Sequence, residues 1–290
     1  MSLPEPLVQL QRELVFEIGS ALAEAFSLRL VVVSPPRTGS TPLARLLWEN
    51  AGVSHHCHEP FEACYWDSRD VSQVMKCLGH PMNISTGKRN SLIEIGSSTG
   101  LLVKEMTFQM KPPDFEMLVG IATHPIIFVM RDPRISTVSR LKIVRELSGS
   151  QTFAPEHSGW TALQDQVDVC RENSIPYVII DSDDLRRSPR KIYLELMERL
   201  GLPTQTMKET WAQRSGLQLC APEVGALMGD VRATSDPFYR RVLSSTNLQP
   251  PDIIDYQEHE EMIRDAGLET HVIEWRNIYA NLREDSNLLA

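Results

Sequence analysis

Leu28-Arg29-Leu30-Val31-Val32-Val33-Ser34-Pro35-Pro36-Arg37-Thr38-Gly39-Ser40-Thr41-Pro42-Leu43-Ala44-Arg45-Leu46-Leu47 is the stretch whose reading decides the fold. Residues 30–33 form a short β-branched run, which predicts a fully buried parallel strand. Pro35 and Pro36 end it, because neither has an N–H for a ladder. Thr38, Gly39, Ser40 and Thr41 then open a helix over residues 42–50, whose first N–H groups have no partner within the helix. Free amides, the positive end of the helix dipole, three hydroxyls and the Arg37 guanidinium together make an anion cradle. A phosphate or phosphosulfate is the expected anion.

The turn is not a Walker A loop, which needs a Lys directly before its hydroxyl residue. Working outward, residues 125–141 repeat the pattern of strand, turn and helix. Residues 126–130 are apolar, Arg131 and Asp132 stand at the strand's carboxyl end, and Pro133 takes a favoured first-turn position. Residues 53–57 and 101–106 read as further strands, the first running into His58-Glu59-Pro60-Phe61 and the second carrying Lys104-Glu105. Residues 177–180 make another, followed by Asp181-Ser182-Asp183-Asp184 and an amphipathic helix that starts at Ser188-Pro189 and stops at Gly201-Leu202-Pro203. Helices are expected over 112–121, 133–147 and 158–173, over an N-terminal stretch 1–26, and over 258–282, with the last few residues frayed. Strands alternating with helices predict an α/β fold with a doubly wound parallel sheet and helices on both faces. Ligands then bind at the carboxyl ends of the strands, where Arg37, Glu59, Lys104 and Arg131 all fall. The cluster His55, His56, Cys57, His58 suggests a metal, but adjacent strand residues alternate faces, so His56 and His58 oppose Cys57 and Glu59. No second cluster with tetrahedral spacing accompanies it, and no metal is expected.

Ser34-Pro35-Pro36-Arg37-Thr38-Gly39-Ser40-Thr41 resembles the 5′-phosphosulfate loop of sulfotransferases that use 3′-phosphoadenosine 5′-phosphosulfate (PAPS). Arg131 and, eight residues on, Ser139 match the pair with which that family binds the 3′-phosphate. Glu59-Pro60-Phe61 is similar to a segment of bacterial and protein-tyrosine sulfotransferases in which a Glu is the general base. Lys104 matches the Lys of the Lys-x-His element in cytosolic members, but Met106 stands where their catalytic His would be. That departure shifts the expected base to Glu59, with His58 or Glu105 behind it; Glu59 paired to Arg37 or Arg69, merely positioning the loop, is the competing reading. The Asp-rich turn and the Gly-Leu-Pro stop also look like this family. Its Arg-Lys-Gly loop is not visible, which leaves Arg232, Arg240 or Arg241 as substitutes.

The resemblance covers residues 28–203. It implies one α/β domain over 1–290, with 204–290 mostly helical, and PAPS as co-substrate without a metal. The implied reaction is sulfuryl transfer to a hydroxyl of a small molecule. In it, Arg37, the 38–41 amides and Lys104 hold the phosphosulfate, Arg131 and Ser139 hold the 3′-phosphate, and Glu59 activates the acceptor. Phe61, Tyr65, Trp66, Phe108, Phe153 and Trp160 are candidates for an apolar acceptor site, with a flap over residues 83–98. A non-catalytic nucleotide-binding protein and, with the loop Lys missing, a P-loop kinase or nucleotide hydrolase are the alternatives.

Composition bounds these readings. The 290 residues carry 29 basic and 38 acidic side chains, a net charge of −9. That balance argues against nucleic acid or an anionic membrane as partner. No apolar run has membrane-spanning length, and the five Cys lack paired spacing. A cytoplasmic enzyme with free thiols is expected, and a homodimer is left open.

Overall fold

A computed structural model describes residues 17–66, 71–95, 99–204, 207–211, 216–217, 232–233 and 240–289. A helix over residues 17–25 (α1) leads into β1 (Phe26–Ser34), α2 (Ser40–Asn50) and β2 (Val53–His58). Short helices α3 (Glu62–Trp66) and α4 (Val71–Gly79) precede β3 (Met82–Asn83), α5 (Leu92–Ile95) and β4 (Thr99–Met106). Then come α6 (Pro112–Ile121), β5 (Ile126–Met130), α7 (Pro133–Ser148), α8 (Trp160–Glu172) and β6 (Tyr177–Asp181). Helices α9 (Ser182–Arg187) and α10 (Pro189–Arg199) follow. Past a two-stranded ribbon, β7 (Gly216–Leu217) and β8 (Arg232–Ala233), lie α11 (Arg240–Ser244), α12 (Tyr256–Asp265), α13 (Glu269–Arg283) and β9 (Leu288–Leu289).

The main sheet runs β3-β2-β4-β1-β5-β6-β9. Every pairing in it is parallel except β3 against β2. The doubly wound α/β layout is therefore as the sequence predicts, with an antiparallel edge added. Alternation along the strands separates two cores. Val31, Val33, Leu101, Val103 and Phe128 face α6, α7, α8 and α13. Leu30, Val32, Leu102, Ile127 and Val129 face α2 and α10 on the other side. With both faces covered, β5 and β6 are buried at every position, which is why they read as unbroken apolar runs.

Three expectations change. Phe26 belongs to β1 rather than to the N-terminal helix; Leu7, Leu10, Leu14 and Val15 lie outside the described residues. The last described residues are not frayed: Leu288 and Leu289 pair with Ile179 and Ile180 as the sheet's last strand. The 258–282 helix is two helices, α12 and α13, separated at Gly267, which has φ 70°. Cys57, Cys64, Cys77 and Cys170 are buried, and Cys220 lies outside the described residues. No helix among the described residues is long and apolar enough to cross a membrane.

Candidate active site

β1 ends at Ser34 and the chain turns through Pro35–Gly39 into α2. Gly39 sits at the helix N-cap with φ 90°, and no side chain caps the helix. A Cβ at Gly39 would stand 3.2 Å from both Arg186 Nη2 and Ser182 Cβ, so glycine serves the backbone conformation and the close approach of α9 alike. Arg37 also has positive φ, 64°, a strained conformation held by its surroundings. Thr38 is buried and its hydroxyl donates to the Pro35 carbonyl at 2.8 Å, stiffening the turn rather than pointing outward. Ser34 Oγ donates to Ser40 Oγ at 2.7 Å.

The turn opens on a cavity of about 620 Å³ at the carboxyl end of the sheet, whose walls include Arg37, Gly39, Ser40, Thr41, Glu59, Arg131 and Ser139. The two strand-turn-helix motifs meet there: Arg37 Nε donates to Ser139 Oγ at 3.2 Å across 102 residues of sequence. Asp132 is not the partner of Arg131. It caps α7 through the Arg134 amide and pairs with the Arg134 guanidinium at 2.6 Å. Arg131 instead donates through Nε to Asp183 at 3.0 Å and through Nη2 to Asp252 at 3.3 Å. Asp252 also accepts from Arg241 at 2.9 Å. Burial alone would raise the Asp252 carboxyl; Arg241 and Arg131 outweigh it and hold it below the usual range.

Glu59 follows β2 with φ 55°. The left-handed turn breaks the strand alternation, so Glu59 does not share the face of Cys57. Its carboxylate lines the cavity and takes Lys104 Nζ at 2.6 Å and His58 Nε2 at 3.2 Å. The Glu59 amide donates to the Lys104 carbonyl at 2.6 Å. Burial pushes this carboxyl up, but the Lys104 ammonium and His58 prevail and hold it well below the ordinary range. Lys104 is 1 % exposed, is not among the residues that line the cavity, and donates to Glu59. Glu105 points the other way. It accepts from the amides of Phe61 at 2.7 Å and Met106 at 2.6 Å, and burial followed by the Glu59 charge pushes its carboxyl well up.

Several cavity residues had no place in the sequence reading. Arg186 on α9 presses on Gly39, 3.7 Å from Asp183, and burial followed by the Arg131 charge lowers it to about 10. Arg140 on α7 is lowered to about 10 by burial and then by Arg37. Glu62, Asp252, Glu258 and His259 also line the wall. Arg241 reaches it, Arg240 pairs with Glu146 outside it, and the Arg232 side chain lies outside what is described. The 242–245 segment is tied down by Arg45 of α2, whose guanidinium donates to the carbonyls of Val242 and Ser245 and stacks 5.0 Å from the Trp211 ring.

Of the six aromatic candidates, Trp66 and Phe108 line the cavity and Tyr65 backs them, its ring 4.9 Å and 5.2 Å from theirs. Phe61 and Trp160 are core. The described part of the expected flap, residues 83–95, contributes nothing to the cavity wall. Asn83 closes that segment into a turn by accepting from the Ser85 and Thr86 amides. His56 packs on Trp48, its ring centroid 4.5 Å away, and His55 sits 5.5 Å from Phe26. No group of three His, Cys, Asp or Glu among the described residues is arranged to hold a metal ion.

No family model and no curated protein sequence matches the chain. Among solved structures, it is similar to mouse sulfotransferase SULT7A1 complexed with PAP, at 13% identity and TM-score 0.44 over 91% of this chain and 93% of that one. It is also similar to the sulfotransferase domain from the curacin biosynthetic pathway, at 14% identity and TM-score 0.41 over 82% of this chain and 96% of that one.

Proposed function

We propose that the protein is a sulfotransferase that moves a sulfuryl group from PAPS to a hydroxyl of a small molecule. The observation that carries this reading is the Arg37–Ser139 contact, which ties the phosphosulfate-type turn and the Arg131 strand end to the wall of one cavity. In this reading the α2 N-terminus and Arg37 take the 5′-phosphosulfate. Arg131 and Arg241 take the 3′-phosphate once Asp252 yields its place. Glu59 faces the acceptor. The acceptor oxygen attacks sulfur as the bond from sulfur to the bridging oxygen breaks. 3′-Phosphoadenosine 5′-phosphate (PAP) leaves with that bond's electron pair, and the hydroxyl proton passes to the Glu59 carboxylate and on to water. Fixed donors around the turn stabilise the charge developing on the leaving phosphate. Lys104 serves as a positioning residue: its ammonium fixes the Glu59 carboxylate and keeps it ionised.

Calorimetric titration with PAP tests the donor site. Binding in the micromolar range is expected, and Arg131→Ala should weaken it by about 1.5–3 kcal/mol, the scale of a hydrogen bond to a charged group. Absence of binding at high micromolar concentration sinks the proposal. Transfer of labelled sulfate from PAPS to a pool of hydroxylated small molecules separates an enzyme from a nucleotide-binding protein. Turnover of ATP with Mg²⁺ and no response to PAP would return the P-loop hydrolase reading.

A further inference from the structure

Arg140 differs from three other cations of the cavity. Arg131, Arg186 and Arg241 each stand within 4 Å of Asp183 or Asp252. Arg140 is 9 % exposed, lines the cavity, and has neither carboxylate nor hydrogen-bond acceptor as partner among the described residues; its Nε is buried without one. Among the described residues its guanidinium carbon stands 5.3 Å from the Phe108 centroid and 5.0 Å from that of Phe153. A buried guanidinium left with π faces alone is under-solvated, since a cation–π contact replaces only part of its hydration. The fold keeps this charge where a ligand can reach it.

We propose that Arg140 binds an oxyanion of the acceptor, so that the molecules sulfated are hydroxy acids: a flat apolar body with a hydroxyl toward Glu59 and a carboxylate toward Arg140. This rests on the sulfotransferase reading for the word acceptor, but the anion site stands on Arg140 alone. The alternative source of the oxyanion is the donor's own sulfuryl group. The charged groups that act on Arg140 are Arg37, Tyr65 and Glu59, whereas Arg186 feels Arg131, Asp183, Asp252 and Arg241, which sets Arg140 apart from the Arg131 cluster. Its ring contacts favour the acceptor over the sulfuryl group. Phe108, on which Arg140 stacks, belongs to the ring cluster of Tyr65, Trp66 and His157, surface suited to an apolar body and ill suited to a polyanionic nucleotide. A carboxylate there gains a bidentate, desolvated partner.

The test compares 3-(4-hydroxyphenyl)propanoate with its amide, by calorimetry on the full chain, with and without saturating PAP. The acid should bind about tenfold or more tightly than the amide, the scale of one charge-assisted pair. Arg140→Gln should erase that preference while holding PAP affinity within about twofold, and Arg140→Lys should restore part of it. The retained PAP binding shows that the variant folds. Equal binding of acid and amide, or no acid binding up to about 10 mM, overturns the proposal. So does a preference that survives Arg140→Gln while affinity for PAPS, which carries the sulfuryl group that PAP lacks, falls about tenfold, which would assign the arginine to the donor. If wild type ignores PAP yet keeps an acid preference that depends on Arg140, the donor reading fails and the anion site stands.

Discussion

The cavity has two charged clusters built on opposite plans. Around Glu59, one carboxylate holds Lys104 at 2.6 Å and His58 at 3.2 Å, with Lys104 and Glu59 both under 5 % exposed. Around Arg131, three guanidinium groups share two aspartates at 2.9–3.7 Å, and Asp252 with Arg241 stands partly in solvent. The first cluster is internally paired, because the Glu59 and Lys104 charges offset each other while Glu59 stands on the cavity wall. The second is exchangeable, because Asp252 occupies the sites on Arg131 and Arg241 that a phosphate would take. In the proposed reading, the contrast separates a carboxylate held ionised and ready to take a proton from arginines that trade an internal anion for an external one.

The largest effect should come from unbalancing the closed cluster. Lys104→Met or Glu59→Gln each leaves an uncompensated buried charge, which should cost about 3–5 kcal/mol of folding stability in urea titration. The double variant should lose much less than the sum. Additive losses would mean that the two groups do not depend on each other. The same cluster has a pH signature. Because the folded-state value of Glu59 is depressed, its contribution is present above the ordinary carboxylate value. It is lost only as pH falls through the lower folded value. Acid unfolding of Glu59→Gln should therefore be less steep than that of wild type.

The exchangeable cluster should respond in binding rather than in stability. Arg131→Ala should weaken PAP by about 1.5–3 kcal/mol. Asp252→Asn should do the reverse, tightening PAP several-fold, since the competing carboxylate loses its charge and the phosphate no longer displaces an ion pair. Unchanged or weaker binding in Asp252→Asn, measured by the same calorimetry, would mean that Asp252 shapes the site instead of occupying it.

The closed cluster was partly legible and the exchangeable one was not. Glu59 follows β2 and Lys104 lies near the end of β4, so the strand-end rule placed both toward the carboxyl end of the sheet, although only Glu59 lines the cavity. The rule is silent on whether a strand-end Lys faces ligand or carboxylate, and here it faces Glu59. Asp183 and Asp252 meet Arg131 from 52 and 121 residues away, pairings that no local pattern encodes. β3 and β9 are two residues each, too short for any period, and are defined by the strands they join. Arg140 did leave a trace. It falls four residues after Ser136 and three before Ile143, both buried, so it lies on the inward face of α7. A cation in that stripe asks for a reason. Arg186, in a helix of six residues, offers no such stripe.

The smallest effect sharpens the comparison from outside it. Arg240 is one residue from Arg241 in the same short helix and is also ion-paired, to Glu146 at 3.2 Å, but both partners are about half exposed. Solvent screens such a pair, so Arg240→Ala should change stability by under about 1 kcal/mol and leave PAP affinity unaltered. Arg241→Ala removes a charge of the same kind that lines the cavity and shares Asp252, and should weaken PAP measurably. If the neighbours behaved alike, the effect would be the general field of positive charge on α11. The distinction between groups that contact the nucleotide and groups that surround it would then be lost.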